Sequence, residues 1–194
     1  STAIHILLNS LNIPVNIVFS KDVDNYHELN PTGQVPALKT EHGLLTEGAA
    51  ISLYLLEQHK SLSTCDVLDF NKWLMFNYAT LHPAYSKMFT TQFGMEEGIQ
   101  KQQFLSLLAK NVSGLWKIID TRLAENNFMA GDQVSILDYL ITIYAGWGNV
   151  FPQVNMPLGE NVLRVIKHIM TLPEFKTAIE KEDFQFAIPD AAKE

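Results

Sequence analysis

The sequence predicts a small α/β unit followed by an all-α unit. Within residues 1–60 apolar positions switch between helical and alternating spacing, and from residue 69 onward every apolar pattern is helical. The stretch KSLSTCDVLD between them is polar and small, as a linker is, which divides the chain into 1–60, a linker at 61–68 and 69–194. A chain of 194 residues, 47% hydrophobic and only 18% charged, can bury a sizeable core, which excludes global disorder.

Taken in order, STAIHILLNSLN reads as a helix, with Ile4, Leu7, Leu8 and Leu11 at helical spacing. Pro14 forbids continuation, and the alternating, β-branched VNIVFS that follows reads as a strand. KDVDNYHEL is a polar loop or a short helical turn. VPALKT is a strand, EHG a turn and LLTEG a second short strand. EGAAISLYLLEQH returns to helical spacing through Ile51, Tyr54, Leu55 and Gln58.

Beyond the linker, residues 70–93 form one helix carrying Phe70, Trp73, Leu74, Asn77 and Leu81. Residues 101–126 form a second, amphipathic, with Phe104, Leu108, Leu115, Ile119 and Leu123 as its apolar stripe. In SILDYLITIYAGW, Ser135 with Asp138 three residues later is a capping box in which Asp replaces Glu. That helix is apolar all round, which places it in the middle of a bundle. NVLRVIKHIM is a last amphipathic helix, stopped before Pro173.

Charge and cysteine content exclude several functions. The net charge is −7, from 14 basic and 21 acidic residues, and Lys and Arg are scattered. A nucleic-acid or anionic-membrane surface needs clustered positive charge, so neither partner is expected. The single cysteine, Cys65, allows no intrachain disulfide and no cysteine-rich metal site, and it lies in the linker, a poor place for a nucleophile. No apolar stretch approaches the ~18 residues of a membrane helix, and no signal-peptide pattern opens the chain. There is no glycine-rich phosphate loop and no zinc spacing. These features fit a cytoplasmic protein without a metal.

Two short stretches carry the chemistry. In NPTGQVPAL, Pro36 opens a strand beside a tight turn at Gly33, and a cis Val35–Pro36 bond fits there. Such a turn exposes the backbone N–H and C=O of Val35, which can pair with an extended peptide-like ligand as an extra strand. In TEGAAI, Glu47 and Gly48 stand where a strand ends and a helix begins, where free N–H groups bind carboxylates and the Glu47 carboxylate can meet an ammonium. Each stretch alone reads sooner as something ordinary, a proline at a strand start and an acidic residue complementing a helix dipole.

Together, NPTGQVPAL and GLLTEGAAISLYL resemble the glutathione-binding signature of the cytosolic glutathione S-transferases, most of all their bacterial beta-type members. FMAGDQVSILDYLI is similar to a folding motif of the same family. The resemblance covers essentially the whole chain. It implies a thioredoxin-like α/β N-terminal domain, an all-α C-terminal domain and a homodimer. It implies further that Val35, with Pro36 cis and Gln34 beside it, pairs with the cysteinyl group of glutathione, and that Glu47 and Gly48 hold its γ-glutamyl end. Gly48 stands where serine is more widespread in the family, which removes a hydroxyl donor.

The family activates the glutathione thiol with a Tyr, Ser or Cys just after the first strand. STAIHI is similar to the tail of the beta-type Cys-Ser-x-x-x-His motif, with Ser1 at the serine and His5 at the histidine. The cysteine position and the first strand would then precede Ser1, and the expectation is that about ten residues stand before this sequence. Ser1 is one candidate hydroxyl donor. His82, nine residues after Trp73 in WLMFNYATLHPAYSKMF, is the other, matching the cleft-lining helix of the family. His5 reads as a packing or capping residue. Met75 and Pro83 replace the Asn and Lys common in the family, so some polar contacts to glutathione are missing.

The resemblance implies a glutathione transferase that conjugates the glutathione thiolate to a hydrophobic electrophile. Two alternatives share the scaffold: a non-catalytic interaction protein, and a glutathione-dependent isomerase or dehalogenase.

Overall fold

The structure, a computed structural model, describes residues 1–60 and 66–190. Helix α1 (Thr2–Ser10) buries Ile4, Leu7 and Leu8 as the spacing predicts. Asn12 ends it in the left-handed region at φ 55, and the Ile13 N–H returns to the Leu8 carbonyl at 2.9 Å, closing the last turn before Pro14.

The strand predicted at VNIVFS does not form. Burial alternates from Leu11 to Val18, as in extended chain, but no ladder partner lies beside it among the described residues. Alternation sets which side chains turn inward, whereas a strand also requires a neighbour to take its N–H and C=O groups. A 3₁₀ turn (Ser20–Asp22) and one helical turn, α2 (Tyr26–Leu29), follow.

Strands β1 (Ala37–Thr40) and β2 (Gly43–Thr46) pair antiparallel, with Ala37 opposite Thr46 and Thr40 opposite Gly43. Helix α3 (Gly48–Gln58) follows directly. It buries Gly48, Ile51, Ser52, Leu55 and Leu56, while Gln58, expected on its inner stripe, is exposed.

Helix α4 (Val67–Phe76) begins within the stretch assigned to the linker. Asp66 caps it, accepting the N–H groups of Leu68 at 2.9 Å and Asp69 at 3.3 Å. Residues 61–65, including Cys65, lie outside the described residues. The single helix predicted over 70–93 is one helical run with a defect: α4, a π-helical segment (Asn77–Leu81), then α5 (His82–Gly94). Pro83 explains the defect, because its missing N–H and its ring disrupt the preceding turn of an α-helix. The chain answers by widening that turn, and the His82 N–H donates to the Asn77 carbonyl five residues back.

Helix α6 (Ile99–Ala124) buries Leu105, Ala109, Val112, Trp116, Ile119 and Leu123. Phe104, predicted on the inner stripe, is 54% exposed, so the stripe there is rotated by one residue. Helix α7 (Ile136–Gly146) is buried on all sides, and its capping box forms as predicted. Helix α8 (Glu160–Ile169) ends before Pro173, but Pro173 also opens a helix the sequence reading missed, α9 (Pro173–Lys181). At the first helical position the absent N–H costs nothing.

One apolar cluster joins both parts of the chain. Helix α1 packs on α3, α7 and α9, and α6 packs on α5 and α8. No helix among the described residues is long and apolar enough to cross a membrane.

Candidate functional site

The loop before Pro36 is built around a buried side chain. Asn30 is 3% exposed and donates through Nδ2 to the Gln34 carbonyl at 2.7 Å. Tyr26 donates its hydroxyl to the same carbonyl at 2.6 Å. Thr32 Oγ1 donates to Asn30 Oδ1 at 2.9 Å, and the Gly33 N–H, at φ 66, closes the turn on the Asn30 carbonyl at 2.8 Å. With the Gln34 carbonyl pinned, Val35 emerges 53% exposed, and the Val35–Pro36 bond is cis. The backbone groups of Val35 take no main-chain partner among the described residues. Gln34 itself is exposed. Asn30 and Tyr26 are contributors that sequence reasoning missed, and the Asn-Pro-Thr-Gly spacing was the available signal.

Ten residues on, the chain enters α3 through a strained residue. Glu47 lies at φ 67 and ψ 113, a region that only glycine reaches freely, and its side chain is exposed and makes no cap hydrogen bond. The first N–H groups of α3 therefore take no acceptor from the N-cap side chain. Gly48 is buried because the Tyr78 ring lies on it. A Cβ on Gly48 would stand 2.5 Å from the Tyr78 hydroxyl oxygen and 2.6 Å from its Cε1. Ser52, one turn into α3, donates to the Gly48 carbonyl at 2.7 Å and also lies beside the Tyr78 hydroxyl. Burial pushes the Tyr78 phenol up to about 12, against the opposing effect of its hydrogen bond with Ser52, so it is a neutral donor near pH 7.

Tyr78 belongs to the π-helical segment, and His82 follows it by one turn. The His82 ring is half-buried, edge-on to Tyr144 at 5.6 Å and to Trp147 at 5.3 Å between centroids. Its Nδ1 faces Ser86 Oγ at 3.4 Å. Burial lowers its pKa, so the imidazole is neutral near pH 7. Tyr144 is raised by burial first and then by its neighbour Tyr78. Tyr78, Tyr144 and Trp147 thus form an aromatic wall between Gly48 and His82. The Ser1 side chain makes no cap hydrogen bond to α1.

His5 turns away from this constellation. It is 2% exposed and shares Glu182 with Thr2, through Nδ1 to Oε1 at 3.0 Å and Thr2 Oγ1 to Oε2 at 2.6 Å. That contact ties the C-terminal segment to α1, in keeping with the packing role expected of His5. An open groove of about 720 Å³ is lined by residues that include Asn9, Ser10, Ile13, Val15, Pro173 and Lys181. It lies at the end of α1 away from Ser1, and none of the predicted site residues lines it. Among the described residues no three His, Cys, Asp or Glu side chains converge to hold a metal.

Several known proteins resemble this chain in sequence or fold. Residues 1–63 match the family model for the glutathione S-transferase N-terminal domain. The chain is 26% identical over 160 residues to glutathione S-transferase GST-4.5 of Xanthomonas campestris pv. campestris, covering 77% of this chain and 78% of that one. It is 22% identical over 169 residues to elongation factor 1-gamma 3 of Oryza sativa subsp. japonica, covering 82% of this chain but only 40% of that protein. Its fold superposes with a TM-score of 0.81 on a glutathione S-transferase from Xylella fastidiosa, at 21% identity over 95% of this chain and 94% of that one. A sphingomonad glutathione S-transferase solved with glutathione gives 0.76 at 22% identity, over 95% and 94%. The fold is that of the glutathione transferases, and the match to their N-terminal domain spans the part of the chain that holds Val35, Glu47 and Gly48.

Proposed function

We propose that this protein binds glutathione and conjugates its thiolate to hydrophobic electrophiles. The observation that carries the reading is the meeting of the α3 N-terminus with the His82 helix at Tyr78. Gly48, one of the residues implied for glutathione with Gln34, Val35, Pro36 and Glu47, lies against Tyr78 of that helical run. The tripeptide would pair along the free Val35 backbone, with its γ-glutamyl carboxylate at the α3 N-terminus and its ammonium at Glu47. The apolar electrophile would rest on Tyr144 and Trp147.

A free thiol titrates near ~8.5, so at pH 7 the enzyme must favour the thiolate. Neutral His82 can donate an N–H to it, and Ser1 a hydroxyl. Holding the thiolate against the electrophile in an apolar setting supplies the remainder of the rate. No metal has a role in this scheme. The cytoplasm supplies glutathione, and homodimerisation through α4 fits its exposed Leu68 and Met75.

The test is retention on immobilised glutathione, followed by conjugation of a dinitrohalobenzene. Absence of both in the full-length protein overturns the enzyme reading. The similarity to elongation factor 1-gamma then favours the second reading, a non-catalytic interaction domain.

A further inference from the structure

We infer that Tyr78 supplies the hydroxyl that Gly48 lacks, and that it is a specificity residue for the α-carboxylate at the γ-glutamyl end of glutathione. The inference rests on the reading of the site proposed above. It starts from a coincidence of position. A serine at residue 48 would carry its hydroxyl one bond beyond Cβ. The Tyr78 oxygen stands 2.5 Å from that Cβ position, with ring atoms Cε1 at 2.6 Å and Cζ at 2.7 Å. The hydroxyl therefore occupies the place a serine side chain would fill, at the N-terminus of an eleven-residue helix.

Three further observations fit a donor. Tyr78 comes from the π-helical segment, whose wider turn shifts the side chains that follow it relative to a regular helix. Ser52 spends its own proton on the Gly48 carbonyl at 2.7 Å. Its oxygen is left to accept from Tyr78 when no ligand is bound, and the phenol can turn to a carboxylate when one is. Glu47 makes no cap hydrogen bond, so no side chain of the helix start competes for the same N–H groups. Gly48 and Tyr78 are in this sense one device: either residue 48 carries a side chain or residue 78 reaches over it, and both cannot.

Tyr78→Phe removes the hydroxyl and keeps the ring. A hydrogen bond to a charged group is worth roughly 10- to 100-fold in affinity. KM for glutathione should rise by about tenfold or more, with KM for the electrophile and the melting temperature unchanged. A glutathione analogue lacking the γ-glutamyl α-carboxylate separates this role from packing. Wild type should prefer glutathione over the analogue, and Tyr78→Phe should lose most of that preference. Gly48→Ser alone should bind poorly because its Cβ displaces Tyr78. Gly48→Ser combined with Tyr78→Ala should bind better than Tyr78→Ala alone. Equal affinity and equal preference in wild type and Tyr78→Phe overturn the inference and leave the proposed function standing. Wild type that binds no glutathione overturns both.

Discussion

The Asp138 carboxylate joins two segments that the sequence separates: Oδ1 accepts the Met129 N–H at 2.8 Å, and Oδ2 accepts the Ser135 N–H at 2.9 Å and the Ser135 hydroxyl at 3.1 Å. The side chain is fully buried. Asp138→Ala would strand two backbone donors, at a cost of about 3 kcal/mol in urea unfolding. Burial pushes the carboxyl up to about 6 from 3.8, against those hydrogen bonds. The native state then binds the proton more tightly than the unfolded chain, so this group's contribution to stability is full below about 4 and falls as pH rises toward 6. The stability gap between wild type and Asp138→Asn should accordingly be larger at pH 4 than at pH 7. An equal gap at both would show that folding leaves the Asp138 pKa unshifted.

A second junction holds α8 against α6. Asp120 Oδ1 accepts the N–H groups of Asn161 at 2.9 Å and Val162 at 3.1 Å, acting as the N-cap that Gly159 cannot provide. Gly159 sits at φ 94, and a Cβ there would run into the Asp120 carboxylate. Asp120→Ala should cost about 1–2 kcal/mol, as cap losses do, and Gly159→Ala about 2 kcal/mol or more. The double variant should cost less than the sum, because one substitution removes the group the other strikes. A urea double-mutant cycle measures this, and strict additivity would show that the two residues do not interact.

Such junctions explain what the sequence could and could not convey. Local signals were legible: the Ser135–Asp138 box, the turn at Gly33, the Glu47–Gly48 helix start and the all-round apolar α7 each depend on neighbours a few residues away. Misreadings came where the deciding partner is distant or the signal has two meanings. VNIVFS alternates correctly but has no adjacent strand. Proline reads as a stop, yet Pro173 opens α9 and Pro83 sits inside a helical run that widens to receive it. Phe104 follows the period and still faces outward, since packing against α5 and α8 sets the rotation of α6. At the site, the residues matched by resemblance lie in the loop, at the start of α3, before α1 (Ser1) and at the start of α5 (His82), whereas Tyr78, Tyr144 and Trp147 carry no local signature. Only the fold brings Tyr78 onto Gly48.

His82 offers two linked measurements. If its N–H supports the thiolate, His82→Ala should lower turnover by roughly 10- to 100-fold, the worth of one hydrogen bond to a charged group, and unchanged turnover removes it from the site. Its pKa is lowered, chiefly by burial, so the unfolded chain binds the proton more tightly. Stability from this group is full above about 6.5 and is lost as pH falls below that. His82→Gln should therefore lose less stability than wild type between pH 7 and pH 5. A steeper loss in the variant would mean that the ring is charged in the native protein.

Glu47 carries the sharpest contrast between stability and function. Its backbone, at φ 67 and ψ 113, costs a non-glycine residue roughly 1–3 kcal/mol. Glycine at that position would release the strain but lose ~0.5–1 kcal/mol to unfolded-state entropy. Alanine would keep the strain. Glu47→Gly should therefore be more stable than Glu47→Ala by about 1 kcal/mol in thermal or urea unfolding. Both variants lose the carboxylate proposed to meet the ligand ammonium, so both should be retained poorly on immobilised glutathione. A glycine variant less stable than the alanine one would show that the backbone at residue 47 is relaxed. Full retention of both would remove the Glu47 carboxylate from the binding site, leaving the α3 N-terminus to hold the γ-glutamyl end unaided.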